Sequence, residues 1–283
     1  MAETLPDLNP DVERVARAAL AEDGRRDLTT LVTVPPAATG TAVVEFREAG
    51  VVAGLRYAEG LARLAGCTVN WLVAEGDEVR PGGVGALAGS RPALLRAERP
   101  LLNLMQRASG IATMTRACVR AVAGTGCRIL HTRKTAPGLR LFDVAAFVAG
   151  GGGVHRLSLA DTVLVKDNHW RALRESGGSL ADALARARRG GALECQVEVE
   201  SAVQLEEACA AGADRLLLDN QPPDQVRAWG ARARALRPGI HIEASGGITL
   251  ANVRSYADAG ADFVSLGAPT HSVRALDIAL TME

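Results

Sequence analysis

The chain has 283 residues, 48% of them hydrophobic and 23% charged, with a formal net charge of zero. This is the composition of a soluble globular protein with core enough for one large domain or two moderate ones. It lacks the basic excess of a nucleic-acid-binding protein, and no uninterrupted apolar stretch is long enough to cross a bilayer.

The N-terminus, MAETLPDLNPDVERV, is acidic and polar and has no apolar h-region, so it does not read as a signal peptide. The five cysteines, Cys67, Cys118, Cys127, Cys195 and Cys209, form no C-x-x-C pair. Neither a disulfide framework nor a zinc site is expected, and a reducing cytoplasm is the natural location. Apolar positions Val12, Val15, Ala16, Ala19 and Leu20 predict a helix over residues 11–21. Short β-rich runs follow at 41–46, 50–54 and 68–73, with a helix over 56–64 and a turn-rich EGDEVRPGG. Strands and helices mixed without regular alternation predict an N-terminal α+β domain, placed at residues 1–110. Residues 96–123 read as helix, broken near Ser109–Gly110.

From about Arg128 the pattern changes. The apolar runs RIL, TVLVK, LECQVEV, DRLLLDN, IHIEAS and DFVSLG alternate with Ala-rich amphipathic segments. The turn AGAD occurs twice, at 211–214 and 259–262, each time between a helical segment and a strand run. The alternation predicts a parallel sheet in an open, irregular β/α barrel over residues 111–270, with residues 271–283 returning to the N-terminal domain. Nearly every predicted barrel strand ends in residues able to do chemistry: His131-Thr132-Arg133-Lys134, Lys166-Asp167-Asn168-His169, Glu198, Asp219-Asn220, Ser245-Gly246-Gly247 and Gly267. In a β/α barrel such ends face one mouth, where active sites sit.

Arg133, Lys134, Arg156 and Lys166, with His155 and Arg99, gather positive charge that calls for a polyanionic ligand. Ser245-Gly246-Gly247-Ile248 follows a strand and precedes a helix, a place where backbone N–H groups bind phosphate. Gly150–Gly153 lacks the G-K-[ST] of a P-loop and reads as a close turn instead. Glu198 and Asp219 end neighbouring strands and can hold Mg2+ or accept from ribose hydroxyls. Asp219 is alternatively a plain helix cap. The histidines are not spaced as a metal cluster.

At these residues the chain resembles the quinolinate phosphoribosyltransferase family. The matching segments are EDGRRDLTT, REAGVVAG, AERPLLNLMQRASGIATMT, HTRKTAPGLR, GGGGVHR, VLVKDNH, EVE, LLLDN, EASGGI and DFVSLGAPTHS. The chain departs from the family pattern at Asp143-Val144-Ala145-Ala146, where Glu/Asp-Lys-Tyr-Ala is usual, and at Val154, where Asn is common. The resemblance implies an α/β N-terminal domain with an open barrel. It implies quinolinate held by Arg99, Thr132, Arg133, His155, Arg156 and Lys166, with Lys134 between it and the phosphoribosyl donor. Lys134, Lys166, Glu198 and Asp219 are implied as the catalytic set, the two carboxylates facing the ribose or its Mg2+. Ser245, Gly246, Gly247, Leu266, Gly267 and Ala268 are implied to bind the 5-phosphate.

The implied reaction joins quinolinate to phosphoribosyl pyrophosphate with loss of pyrophosphate and CO2, giving nicotinate mononucleotide for NAD biosynthesis, with no organic cofactor. A dimer, or a larger assembly of dimers, is implied, with Arg99 reaching the partner's site. Two rivals are a related pyrophosphorylase-like protein linked to molybdenum use and a barrel that binds a phosphorylated ligand without catalysis.

Overall fold

The computed structural model describes residues 5–24, 26–160 and 162–283. The first four residues of the acidic N-terminus, Arg25 of EDGRRDLTT and Asp161 before TVLV lie outside the described residues. In chain order, helices α1 (Asn9–Glu22) and α2 (Leu28–Thr33) precede strands β1 (Thr39–Phe46) and β2 (Gly50–Val51). Helix α3 (Leu55–Ala65) leads to β3 (Thr68–Trp71), β4 (Glu78–Val79), β5 (Gly82–Ser90) and the long α4 (Arg91–Ala121). Alternation then runs through β6 (Arg128–His131), α5 (Arg140–Ala149), β7 (Thr162–Val165), α6 (Asp167–Glu175), α7 (Leu180–Arg189) and β8 (Glu194–Val199). It continues through α8 (Ala202–Ala210), β9 (Arg215–Asp219), α9 (Pro223–Leu236), β10 (His241–Ser245), α10 (Val253–Asp258), β11 (Phe263–Leu266) and α11 (Ala268–His271) to β12 (Ile278–Met282).

Contacts divide the described chain into two compact units. The barrel unit comprises residues 117–133 and 153–268; the other comprises 5–116, 134–152 and 269–283. In the barrel unit six parallel strands lie in the order β6-β11-β10-β9-β8-β7. The expected open, irregular barrel is present as a curled half-barrel. Its two edge strands, β6 and β7, follow one another in sequence and do not pair. Strand β8 is buried at every position, so its sequence is nearly continuous in apolar and paired polar residues rather than alternating.

The repeated AGAD turn has a physical basis. Gly212 and Gly260 adopt positive φ, +83° and +90°, which only glycine takes without strain. Asp214 then accepts from the Cys195 N–H at 2.9 Å, and Asp262 from the Ile242 N–H at 2.7 Å. Each aspartate thus ties the start of its own strand to that of the preceding one.

In the other unit, β12-β1-β5-β3 form an antiparallel sheet and β2 pairs with β4. The expected strand over 50–54 is confined to Gly50–Val51, because Glu75 draws the next residues into a helix start. Its carboxylate accepts from the Gly54 and Leu55 N–H groups at 2.6 and 2.9 Å and caps α3. The expected break near Ser109–Gly110 is absent. Helix α4 runs through it, and a Cβ on Gly110 would stand 2.3 Å from the Arg274 carbonyl oxygen. That glycine serves close packing, not interruption.

Candidate active site at the mouth of the barrel unit

The strand ends build the site. Thr132 and Arg133 follow β6, Lys166 follows β7, Glu198 is the next-to-last residue of β8, Asp219 and Ser245 end β9 and β10, and Gly267 follows β11. Asp219 and Ser245 stand opposite one another in the β9–β10 register, and the Ser245 hydroxyl donates to Asp219 Oδ1 at 2.9 Å. The second Asp219 oxygen accepts from Asn220 at 2.7 Å. Asp219 does not cap α9, whose N-cap is Pro222.

Lys166 stands at the N-cap position of α6, and its ammonium pairs with the Glu198 carboxylate. The lysine is 42% exposed and the glutamate 7%, so the charge pair sits at the boundary between solvent and the interior. The main chain around it is fixed: the Lys166 N–H donates to His169 Nδ1 at 2.9 Å, and Trp170 Nε1 donates to the Glu198 carbonyl at 2.8 Å.

Burial, and then the like charge of Arg133, hold the Arg156 guanidinium below its ordinary pKa. Arg133 Nε is itself buried without a hydrogen-bond partner. Two guanidiniums close enough to repel, with a donor unspent, are arranged for an anion that neutralises both. His155 spends both ring nitrogens on protein. Its Nδ1 accepts from the Arg156 N–H at 2.8 Å, and its Nε2 lies 3.4 Å from Glu243 Oε1.

Glu243 anchors an ionic cluster that the sequence reading did not single out. Arg215, on β9, reaches Glu243 at 2.8 Å and Glu194 at 2.9 Å, and its guanidinium stacks on Phe263 at 4.0 Å. The Ser265 hydroxyl also donates to Glu243. Burial alone would raise the Glu243 pKa; His155, Arg215 and Ser265 outweigh it and bring it down to about 2. The available signal was Glu194, Arg215 and Glu243, charges placed among the apolar residues of LECQVEV, DRLLLDN and IHIEAS.

At the late loops, Gly246 and Gly247 have φ of +89° and +60°. A Cβ on Gly246 would lie 2.1 Å from Asn220 Oδ1. Asn220 is the single described non-glycine residue with positive φ, and its N–H donates to the Ser245 carbonyl at 2.8 Å. That bond ties the Ser245 end of the loop to the end of β9. Leu266 is buried and Ala268 opens α11. Arg99 and Lys134 belong to the other unit. Arg99 is 59% exposed on α4, 3.8 Å from Glu98, and the Lys134 carbonyl accepts from the Thr270 hydroxyl at 2.8 Å. Among the described residues no group of three or more His, Cys, Asp or Glu is placed to hold a metal.

An open parallel barrel with half-buried guanidiniums, a lysine–glutamate pair and a glycine-lined late loop at its strand ends has the form of an enzyme of the β/α-barrel class. The family model described as "Quinolinate phosphoribosyl transferase, C-terminal domain" matches residues 111–281, and the corresponding N-terminal domain model matches 27–109. The chain belongs to the quinolinate phosphoribosyltransferase family. It is 42% identical over 275 residues to the nicotinate-nucleotide pyrophosphorylase [carboxylating] of Mycobacterium leprae, covering 94% of this chain and 95% of that one. It is 34% identical to the human protein of the same name, covering 95% and 92%. The solved nicotinate-nucleotide pyrophosphorylase of Francisella tularensis superposes with a TM-score of 0.89 at 32% identity, over 99% of this chain and 98% of that one.

Proposed function

We propose that this chain transfers the phosphoribosyl group of phosphoribosyl pyrophosphate to the ring nitrogen of quinolinate, with release of pyrophosphate and CO2, in NAD biosynthesis. It is a decarboxylating pentosyltransferase. The observation that carries the reading is the pair Arg133 and Arg156, two half-buried guanidiniums whose like charges repel, with the buried Nε of Arg133 unspent, an arrangement that suits a dicarboxylate. Thr132 and Lys166 complete that end of the site. His155 serves it by fixing the main chain at Arg156, and Lys134, next in the chain to Arg133, lies between the acid and the donor.

The nitrogen attacks the anomeric carbon and the C–O bond to pyrophosphate breaks. Positive charge grows on the ribose, which Glu198 and Asp219 offset. The product ring is a cationic pyridinium. That ring takes up the electron pair left when the carboxylate beside nitrogen departs as CO2, and a proton replaces it at carbon. The cations hold both acids in place, so catalysis is mainly positioning and fixed electrostatics. Ser245, Gly246, Gly247, Leu266, Gly267 and Ala268 receive the 5-phosphate on backbone N–H groups.

Glu198 and Asp219 end adjacent strands and retain oxygen lone pairs, a donor set that fits a hard cation keeping most of its waters. They would meet Mg2+, which would supply charge neutralisation of the departing pyrophosphate. No organic cofactor enters the reaction. The reading includes a dimer in which Arg99 serves the partner's site, and a cytoplasmic enzyme, which the five buried thiols support. No specific observation favours the molybdenum-linked rival or a non-catalytic barrel. The test is release of pyrophosphate and CO2 in equal amounts from quinolinate and phosphoribosyl pyrophosphate. Release of neither overturns the reading.

A further inference from the structure

The segment Thr132–Leu139 has no ladder of its own, lying between β6 and α5. Yet it is gripped from both sides near Lys134. The Thr270 hydroxyl donates to the Lys134 carbonyl at 2.8 Å. Two residues on, the Ala136 N–H donates to Asp143 Oδ2 at 3.0 Å. A single guanidinium joins the two grips. Arg107, on α4, donates to both Asp143 oxygens at 2.8 Å and to the Thr270 carbonyl at 3.0 Å. Asp143 is fully buried and Thr270 is 1% exposed. Every polar contact in this chain of bonds lies within one compact unit.

We propose that Thr270, seated by the Arg107–Asp143 pair, is a positioning residue that fixes the backbone from which the Lys134 side chain projects. The inference rests on the reading above in which Lys134 acts on the substrates. An ion pair whose carboxylate is fully buried, with its guanidinium 27% exposed, is a costly way to gain stability, since apolar residues of like volume serve as well or better. A bidentate pair does give direction: its planar geometry fixes both partners, and here it passes that order to two backbone groups flanking Lys134. A lysine ammonium carried on four flexible carbons needs its starting point fixed if it is to meet a reacting atom, and displacement by about 1 Å can cost a hundredfold in rate.

The experiment separates hydroxyl from bulk. Thr270→Val keeps the shape and loses the hydroxyl; Thr270→Ser keeps the hydroxyl and loses a buried methyl. Both are compared with wild type and Lys134→Ala for kcat, for KM of each substrate and for thermal unfolding. The expected result is a fall in kcat between about tenfold and a hundredfold for Thr270→Val, with KM much less affected and most of the rate kept by Thr270→Ser. A structural role predicts the opposite order, with activity following stability. If Thr270→Val does not fold, Thr270→Ala against Thr270→Ser makes the same comparison, because those two differ by one oxygen. Normal kcat in the hydroxyl-free variant while Lys134→Ala is inactive overturns the positioning role alone. Normal turnover by Lys134→Ala overturns the reading of Lys134 and this inference with it.

Discussion

Arg215 and Glu243, from adjacent strands β9 and β10, meet at 2.8 Å inside the barrel unit with side chains only 1% and 0% exposed. Removing the guanidinium leaves Glu243 and Glu194 charged and without their partner. Arg215→Met should lower the free energy of unfolding by about 3–5 kcal/mol, the usual cost of breaking a buried pair from one side. Urea unfolding followed by tryptophan fluorescence measures it. A loss no larger than that of a surface arginine substitution would show the pair to be inert.

Glu243 also sets an acid limit. Its pKa is about 2 in the folded protein, against an ordinary 4.5. Between those values the unfolded chain binds a proton that the folded one does not, so its contribution is whole above about pH 4.5 and fades as the pH falls toward 2. Glu243→Gln, less stable near neutrality, should lose less across that window than wild type. Parallel stability curves from pH 5 to 3 would count against the cluster.

Lys166→Ala should keep the fold, since the lysine is partly exposed, but lower kcat by about a hundredfold to a thousandfold, the usual effect of deleting one preorganised charge-stabilising group. Steady-state kinetics on quinolinate decide it. Near-normal turnover would remove the Lys166–Glu198 pair from the mechanism.

Nicotinate carries one carboxylate where quinolinate carries two. In its complex the half-buried Arg133 and Arg156 would keep an unneutralised donor set. A site built for a polar group rejects the analogue that lacks it by roughly four orders of magnitude, so kcat/KM for nicotinate should be negligible. Comparable efficiency on both acids would point to a different acceptor.

Arg99 is tested by complementation. Arg99→Ala and Lys166→Ala, each inactive alone, are mixed under conditions that exchange subunits. If Arg99 serves the partner's site, each mixed dimer has one intact site, and random exchange restores about a quarter of wild-type activity. No recovery, with exchange confirmed independently, would assign Arg99 to its own subunit.

The parallel sheet was legible because each of its six strands is an apolar run closed by polar residues, with helix-forming segments between. The uninterrupted course of α4 was not. Gly110 reads as a breaker locally, and only the Arg274 carbonyl packed against it, from far along the chain, explains its presence. The site was legible as a list of strand ends but not as a set of bonds. Nothing in the letters His155-Arg156 says that the ring accepts from the next residue's N–H, or that its other nitrogen meets Glu243. Likewise, Glu194, Arg215 and Glu243, far apart in the chain, become a cluster only once β8, β9 and β10 lie side by side.

The pairing of β12 with β1 bears on how the protein is made. Ala42 and Met282 are register partners, so β1 leaves the ribosome 240 residues before the strand that completes its edge. During that interval one side of β1 has unsatisfied backbone groups, and its partner β5 covers only the other. Residues 117–133 and 153–268 of the barrel unit are translated within that interval, before β12 appears. Chains stalled or clipped before Ile278 would therefore present a persistent sticky edge, and they are the species in which self-association during expression should begin.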